Sequence, residues 1–224
     1  MNTRNRFKYV VRDLFIYARS SKWEFVTEAI TNGIINVTVT ETTGLTLLEI
    51  AIDNGDSEAV LFLLENNADA NYISAHNGSS ALFNASYVGV LKTVIYLIRH
   101  GANIDSICKE CGRSPLSIAI TNHHISIIKY LTNIGASKEI RCNAGNTPLM
   151  IAVIGGFATI VKFLLGANCD YLAVVQFSSP LRSDVEGDTC LHLAARRGHL
   201  GVVQCLISTG MLINQLIKSV DKIS

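Results

Sequence analysis

An all-α solenoid of stacked helix–turn–helix units is the fold class this sequence predicts, and three observations predict it. A six-residue pattern recurs as TLLEIA from Thr46, SALFNA from Ser80, SPLSIA from Ser114, TPLMIA from Thr147 and TCLHLA from Thr189, with starts 34, 34, 33 and 42 residues apart. The glycines keep the same register: 13 of 16 fall before the Thr or Ser, after a first helical run or after a second, so they punctuate repeats rather than build a phosphate-binding loop. Between them, apolar residues fall at helical spacing, as in Val202, Val203, Cys205, Leu206 and Ile207.

Each element follows in order from its residues. Thr or Ser opens the first helix by accepting from backbone N–H groups that have no helical partner, and Pro115 and Pro148 stand where a missing N–H costs nothing. Leu and a small Ala face inward, with Ala51, Ala85, Ala119, Ala152 and Ala194 in one register. Gly55, Gly89, Gly156 and Gly198 hold the next, with His123 as the substitute, and stop the helix in a conformation costly for other residues. A second amphipathic helix and a Gly-Ala-Asn-Ile-Asp-like ending close the unit. One unit cannot bury both faces, so its stability comes from stacking on neighbours.

The period and the Thr-Pro-Leu-His-x-Ala pattern resemble the ankyrin repeat, over about Gly44 to Asn214 and five repeats. Gly187–Gly210, GDTCLHLAARRGHLGVVQCLISTG, is the best single match. The resemblance implies an ankyrin-repeat solenoid with protruding hairpin loops. Residues 12–36 read as a degenerate repeat, one residue short when Ala18 is set on the alanine register, which makes 1–42 an N-terminal capping repeat and 43–214 the five repeats. The fourth repeat reads as two residues short, ending at Gly166, before an insertion at 171–186 (YLAVVQFSSPLRSDVE) expected to project as a finger or fold back. Residues 215–224 form a tail or a short cap carrying Leu216, Ile217, Val220 and Ile223.

Composition narrows the function classes. Hydrophobic residues at 49% against 17% charged supply a core and no disorder signature, while a net charge of +1 argues against nucleic-acid binding. Six irregularly spaced cysteines do not make a disulfide framework. The charged N-terminus reads as neither signal peptide nor membrane span, and no segment offers about 18 uninterrupted apolar residues. A reduced, cytoplasmic, monomeric protein is expected, with no membrane, nucleic acid or cofactor.

The best-matching repeat resembles a reaction centre until it is laid over the others. Cys190 stands where they have Leu47, Ala81, Pro115 and Pro148, and His192 where they have Glu49, Phe83, Ser117 and Met150, so both read as scaffold. In ankyrin-like repeats this His hydrogen-bonds near the Thr of the motif and orders the turn. Cys205 falls on the buried face of the second helix. Cys108 and Cys111, with Cys142 and His76 in neighbouring loops, would make a tetrahedral zinc set if those loop tips converged, although isolated cysteines are the plainer reading. A redox role is weaker, since no βαβ pattern surrounds the pair. Leu63, Asp69 and Asn71 resemble the spacing an asparaginyl hydroxylase recognises in ankyrin repeats, and the plainer reading is that Asn71 supports its loop. With no G-x-S-x-G, phosphate loop or H-E-x-x-H, no catalysis is expected.

The resemblance implies a concave protein-binding surface of loop tips and first helices. The residues there that packing does not need are Asp53, Asn54, Tyr87, Val88, Thr121, Asn122, Ile154, Arg196 and Arg197, and Tyr87, Val88 and Ile154 would anchor a partner unless they touch adjacent loops. Residues 43–76 hold six acids and no Lys or Arg, and residues 77–141 hold seven bases and three acids, a gradient that would orient a charged protein partner. The expected function is a non-catalytic interaction scaffold, an adaptor or an effector that an intracellular bacterium delivers into host cytoplasm, the Asn and Ile content suiting an AT-rich source. Its rivals are a metal or redox module on Cys108 and Cys111, and the targeting fragment of a larger enzyme.

Overall fold

The computed structural model describes residues 3–174 and 187–208. Among them the chain is all α, with twelve helices in six antiparallel-type pairs, no strand and three isolated bridges. The finger expected at 171–186 is described only over 171–174, and the tail at 215–224 lies outside the described residues.

The backbone divides into two compact units. The first pairs α1 (Thr3–Arg19) with α2 (Trp23–Thr31), α3 (Leu47–Asp53) with α4 (Ser57–Glu65), and α5 (Ala81–Val88) with α6 (Leu91–Arg99). Within it α1 packs on α3 and α3 on α5, while α4 packs on α6, so first helices stack on first helices and second on second. The second unit pairs α7 (Pro115–Thr121) with α8 (Ile125–Asn133), α9 (Pro148–Ile154) with α10 (Ala158–Gly166), and α11 (Cys190–Arg196) with α12 (Leu200–Ser208). Its stacking is the same, α7 on α9 on α11 and α10 on α12. Leu47, Leu63, Leu82 and Leu97 fill the first core, and Leu116, Ile127, Leu131 and Leu149 the second.

The first helices begin as their residues require. Ser80, Ser114 and Thr147 accept on their hydroxyls from the N–H three residues on, at 3.1, 3.2 and 3.4 Å. At α3 the cap is reciprocal: Thr46 accepts from the Glu49 N–H at 3.1 Å, and the Glu49 carboxylate accepts from the Thr46 N–H at 2.8 Å. At α11 His192 takes the part of Glu49, its Nδ1 accepting from the Thr189 N–H at 3.0 Å. That bond orders the turn as the resemblance implies, and it places any ring proton of the neutral imidazole on Nε2.

Three register details differ from the sequence reading. The left-handed residue between the helices of the first pair is Ser21 (φ 53°), 34 residues before Gly55, so Tyr17 stands in the alanine register and Ala18 with Ile52. The first repeat is therefore not one residue short, and its first helix is 17 residues long where α3, α7, α9 and α11 have seven. The fourth repeat is not short either. Gly166 lies inside α10, and Asn168 (φ 58°) holds the left-handed position that Asn67 (φ 70°), Gly101 and Gly135 hold elsewhere. Asparagine enters this conformation more readily than other non-glycine residues, so a glycine two residues earlier drew the eye to the wrong place.

Successive loop tips meet backbone to backbone. The Lys109 N–H donates to the Gly78 carbonyl at 3.2 Å in the first unit, and the Asn143 N–H donates to the Cys111 carbonyl at 3.1 Å in the second. This close approach explains the glycines before Ser80 and Ser114, Gly78 and Gly112. At Gly112 (φ 67°) a Cβ would fall 2.7 Å from the Asn143 backbone nitrogen and against its side-chain oxygen. Gly33 has the same φ of 67° but open space around it. Gly33→Ala is therefore expected to cost about 1 kcal/mol from backbone conformation alone, and Gly112→Ala about 2–3 kcal/mol by adding displacement of the neighbouring loop. Urea unfolding of the two variants checks this, and equal losses would remove the close-approach explanation.

Candidate functional site

From α3 on, the first helices expose little beyond their last turn. In α3 every residue from Leu47 to Ile52 is buried and Asp53 is exposed; in α5 Tyr87 is 57% exposed and Val88 half-buried. Asp53 and Tyr87 are one repeat apart and line a common cleft of about 380 Å3 in the first unit, facing Ser74, His76 and Asn77 of the loop tip. Leu45, Glu49, Phe83 and Asn84 complete its walls. Asn54 is exposed but turns its amide to the preceding repeat, donating to the Ala18 carbonyl at 2.8 Å and to the Ser21 hydroxyl at 3.3 Å.

In the second unit the corresponding residues differ among themselves. Thr121 is half-buried and donates back to the Ser117 carbonyl at 2.9 Å, and Asn122, also half-buried, ends α7. Ile154 is half-buried, and its carbonyl accepts from His199 Nε2 at 3.1 Å. Arg196 and Arg197 are exposed at the end of α11, Arg196 pairing with Asp188 at 3.0 Å. On the second helices of this unit an apolar hollow of about 370 Å3 between α8 and α10, lined by Ile128, Ile160 and Phe163 and rimmed by Lys129 and Lys162, is a feature the sequence reading passed over.

The unmixed acidic block does not form one charged face. Glu49 is buried in the Thr46 cap. Asp56 accepts from the Trp23 indole and the Ser21 hydroxyl, both at 2.7 Å, Glu58 pairs with Lys92 on the second helices, and Asp69 accepts from the Asn71 N–H at 2.8 Å. Asn71 buttresses the next repeat, donating to the Gly101 carbonyl and accepting from the Asn103 N–H, each at 2.8 Å. Glu139 repeats the bond in the second unit, accepting from the Asp170 N–H at 3.3 Å. Loop support therefore accounts for Asn71.

The cysteines build no reaction centre. Among the described residues no group of three His, Cys, Asp or Glu side chains is placed to hold a metal ion. Cys108 is buried with its thiol directed to the Asn77 carbonyl at 3.7 Å, and Cys142 is buried too. Burial pushes the Cys169 thiol up to about 11 and, with nearby Asp170 adding to it, the Cys190 thiol up to about 12, which leaves both protonated and unreactive near neutral pH. No helix among the described residues is long and apolar enough to cross a membrane.

Helical pairs stacked through left-handed corners within each unit, with no group of metal-ligating side chains among the described residues, define a repeat scaffold of the α-solenoid class. The chain belongs to the ankyrin repeat family: the family model described as ankyrin repeats in three copies matches residues 48–142, 82–175 and 134–217. Relatives include the B-cell lymphoma 3 protein homolog of Mus musculus, 33% identical over 125 residues that cover 56% of this chain and 28% of that protein. NF-kappa-B inhibitor alpha of Homo sapiens is 34% identical over 103 residues, 46% of this chain and 31% of that protein. Rabankyrin-5 of Homo sapiens is 32% identical over 191 residues, 80% of this chain and 16% of that protein. The chain thus spans less than a third of the length of each. Repeats of this family mediate protein–protein interaction, and its members are mostly non-catalytic.

Asp53 carries a measurable mark of its surroundings. Burial, and then the nearby Glu49 carboxylate, hold its carboxyl above the ordinary range. An acid whose folded-state pKa lies above its unfolded value disfavours folding while ionised, so stability is gained as pH falls through the raised value. Asp53→Asn is expected to raise the urea midpoint near pH 7, with the gain vanishing near about pH 3, where the parent carboxyl is protonated too. A gain independent of pH would assign the effect to packing.

Proposed function

We propose that this protein is a monomeric, cytoplasmic adaptor that holds a protein partner along its loop tips and the ends of its first helices, without catalysing a reaction. One observation carries the reading: from α3 on, the first helices are buried almost throughout, yet their ends present Asp53, Tyr87, Arg196 and Arg197 to solvent. Tyr87 offers a rigid aromatic anchor, and Val88 and Ile154 add half-buried apolar surface beside the tips. In the second unit Thr121 and Asn122 serve as polar contacts, and in the first Asn54 contributes what its bonds to Ala18 and Ser21 leave available. NF-kappa-B inhibitor alpha, named as an inhibitor of NF-kappa-B, supports the partner-binding use of such repeats. The Asn and Ile content supports placing the adaptor among effectors that intracellular bacteria deliver, with host cytoplasm as the place of action.

The double variant Tyr87→Ala with Arg196→Glu is expected to lose capture of partners from lysate while keeping the parent's helical circular dichroism and unfolding midpoint. Retained capture by a folded double variant would remove these faces as the binding surface.

A further inference from the structure

We propose that the cleft of the first unit receives an arginine side chain of the protein partner, its guanidinium paired with Asp53 and lying against the Tyr87 ring. This rests on the reading of the first-helix ends as a protein-binding surface, and specifies what one part of that surface recognises.

Three other acids of this unit have partners within it. Glu41 receives Arg19 through a two-pronged pair, with Nη1 to Oε1 at 3.0 Å, Glu58 receives Lys92, and Asp56 receives the Trp23 indole and the Ser21 hydroxyl. Asp53 and Glu49 both line the cleft, and among the described residues neither forms an ion pair. No Lys or Arg lines the cleft either, and the His76 imidazole on the opposite wall pairs with neither carboxylate. Glu49 satisfies the Thr46 cap through Oε2 alone, which takes the bonds from both the N–H and the hydroxyl. Two carboxylates thus share a cleft that supplies no cation of its own, so a cation that completes it would come from outside. The raised carboxyl of Asp53 agrees with this, because its causes are burial and Glu49 with no cation among them.

The rest of the wall narrows the cation to arginine. Tyr87 stands 57% exposed at the cleft edge, one repeat beyond Asp53, and Phe83 lies one turn before it on α5. A planar guanidinium can lie on an aromatic face and still present a fork of N–H donors to a carboxylate, whereas a lysine ammonium is a compact, strongly hydrated point charge. At about 380 Å3 the cleft has room for such a side chain and its stem.

The test is titration of the 15N-labelled full chain, followed by amide shifts, with N-acetyl-arginine amide. Its neutral near-isostere N-acetyl-citrulline amide and N-acetyl-lysine amide are run alongside. Arginine amide is expected to give saturable shifts confined to the residues around Asp53, Asn84 and Tyr87, citrulline amide none, and lysine amide a weaker response at the same residues. Asp53→Asn should weaken arginine binding about tenfold and Tyr87→Ala about threefold. The Asp53 variant is expected to be at least as stable as the parent, so its loss of binding cannot be ascribed to unfolding. Citrulline or lysine amide matching arginine, shifts scattered over the surface, or unchanged binding in Asp53→Asn would each overturn the assignment. If arginine amide fails while the Tyr87 and Arg196 double variant still loses its captured partner, the arginine cleft falls and the binding surface stands. If arginine amide seats but the double variant keeps its partner, the reverse holds.

Discussion

Between the two helices of each pair the chain turns through one residue in the left-handed conformation, Ser21, Gly55, Gly89, His123, Gly156 or Gly198. The stacking depends on that corner for two reasons. It sends the second helix back along the first, and it leaves a bare patch on which the following repeat rests. Val90 lies 3.4 Å from where a Cβ of Gly55 would be, and the His199 ring lies 2.9 Å from the same point at Gly156. The corner residue thus serves its own repeat by conformation and the next by absence of bulk. Where glycine is replaced, other contacts compensate: His123 (φ 61°) sets its ring edge-on to Phe157 at 4.8 Å, trading backbone strain for an aromatic contact with the next repeat.

Much of this was legible in the sequence, because the corner, the cap and the loop-tip glycine each restrict the residue that can stand there. Thr46, Ser80, Ser114, Thr147 and Thr189 are helix openings by their chemistry, and the structure finds them so. The misreadings came where a permitted but less favoured residue took such a position. Asn168 is left-handed while Gly166 is helical, and Ser21 turns the corner that no glycine marks. Residue type alone cannot separate these cases, since asparagine and serine tolerate the conformation that glycine adopts freely. The length of α1 was illegible for a different reason. The comparison with later repeats begins at residue 12, and nothing in a seven-residue pattern speaks for a helix that starts at Thr3.

The charge pattern shows where linear reading stops. Six acids without a base between 43 and 76 look like one face, yet stacking disperses them into a cap, an indole contact, an outer ion pair and a loop turn. A residue's partner in a repeat protein sits about 34 positions away, as Trp23 does from Asp56 and Lys92 from Glu58. Local charge counts therefore predict little, and the informative quantity is what remains after each neighbouring repeat has taken its share.

One register of the first helices differs in chemistry from repeat to repeat. The seventh residue after each opening Thr or Ser is Asp53, Tyr87, Thr121, Ile154 or Arg196 in successive repeats, five side chains of different chemistry at the end of the first helix. By contrast the inward alanines are uniform from Ala51 to Ala194, with Tyr17 in that register only in the first repeat. A scaffold that fixes the backbone and releases one side chain per repeat can change what it recognises without changing how it folds. The raised carboxyl of Asp53 shows the cost of that freedom, a charge held beside Glu49 and partly away from water at some expense of stability. Such an expense is reasonable where the compensating charge arrives with another molecule, and it has no evident use in a repeat that only needs to stack.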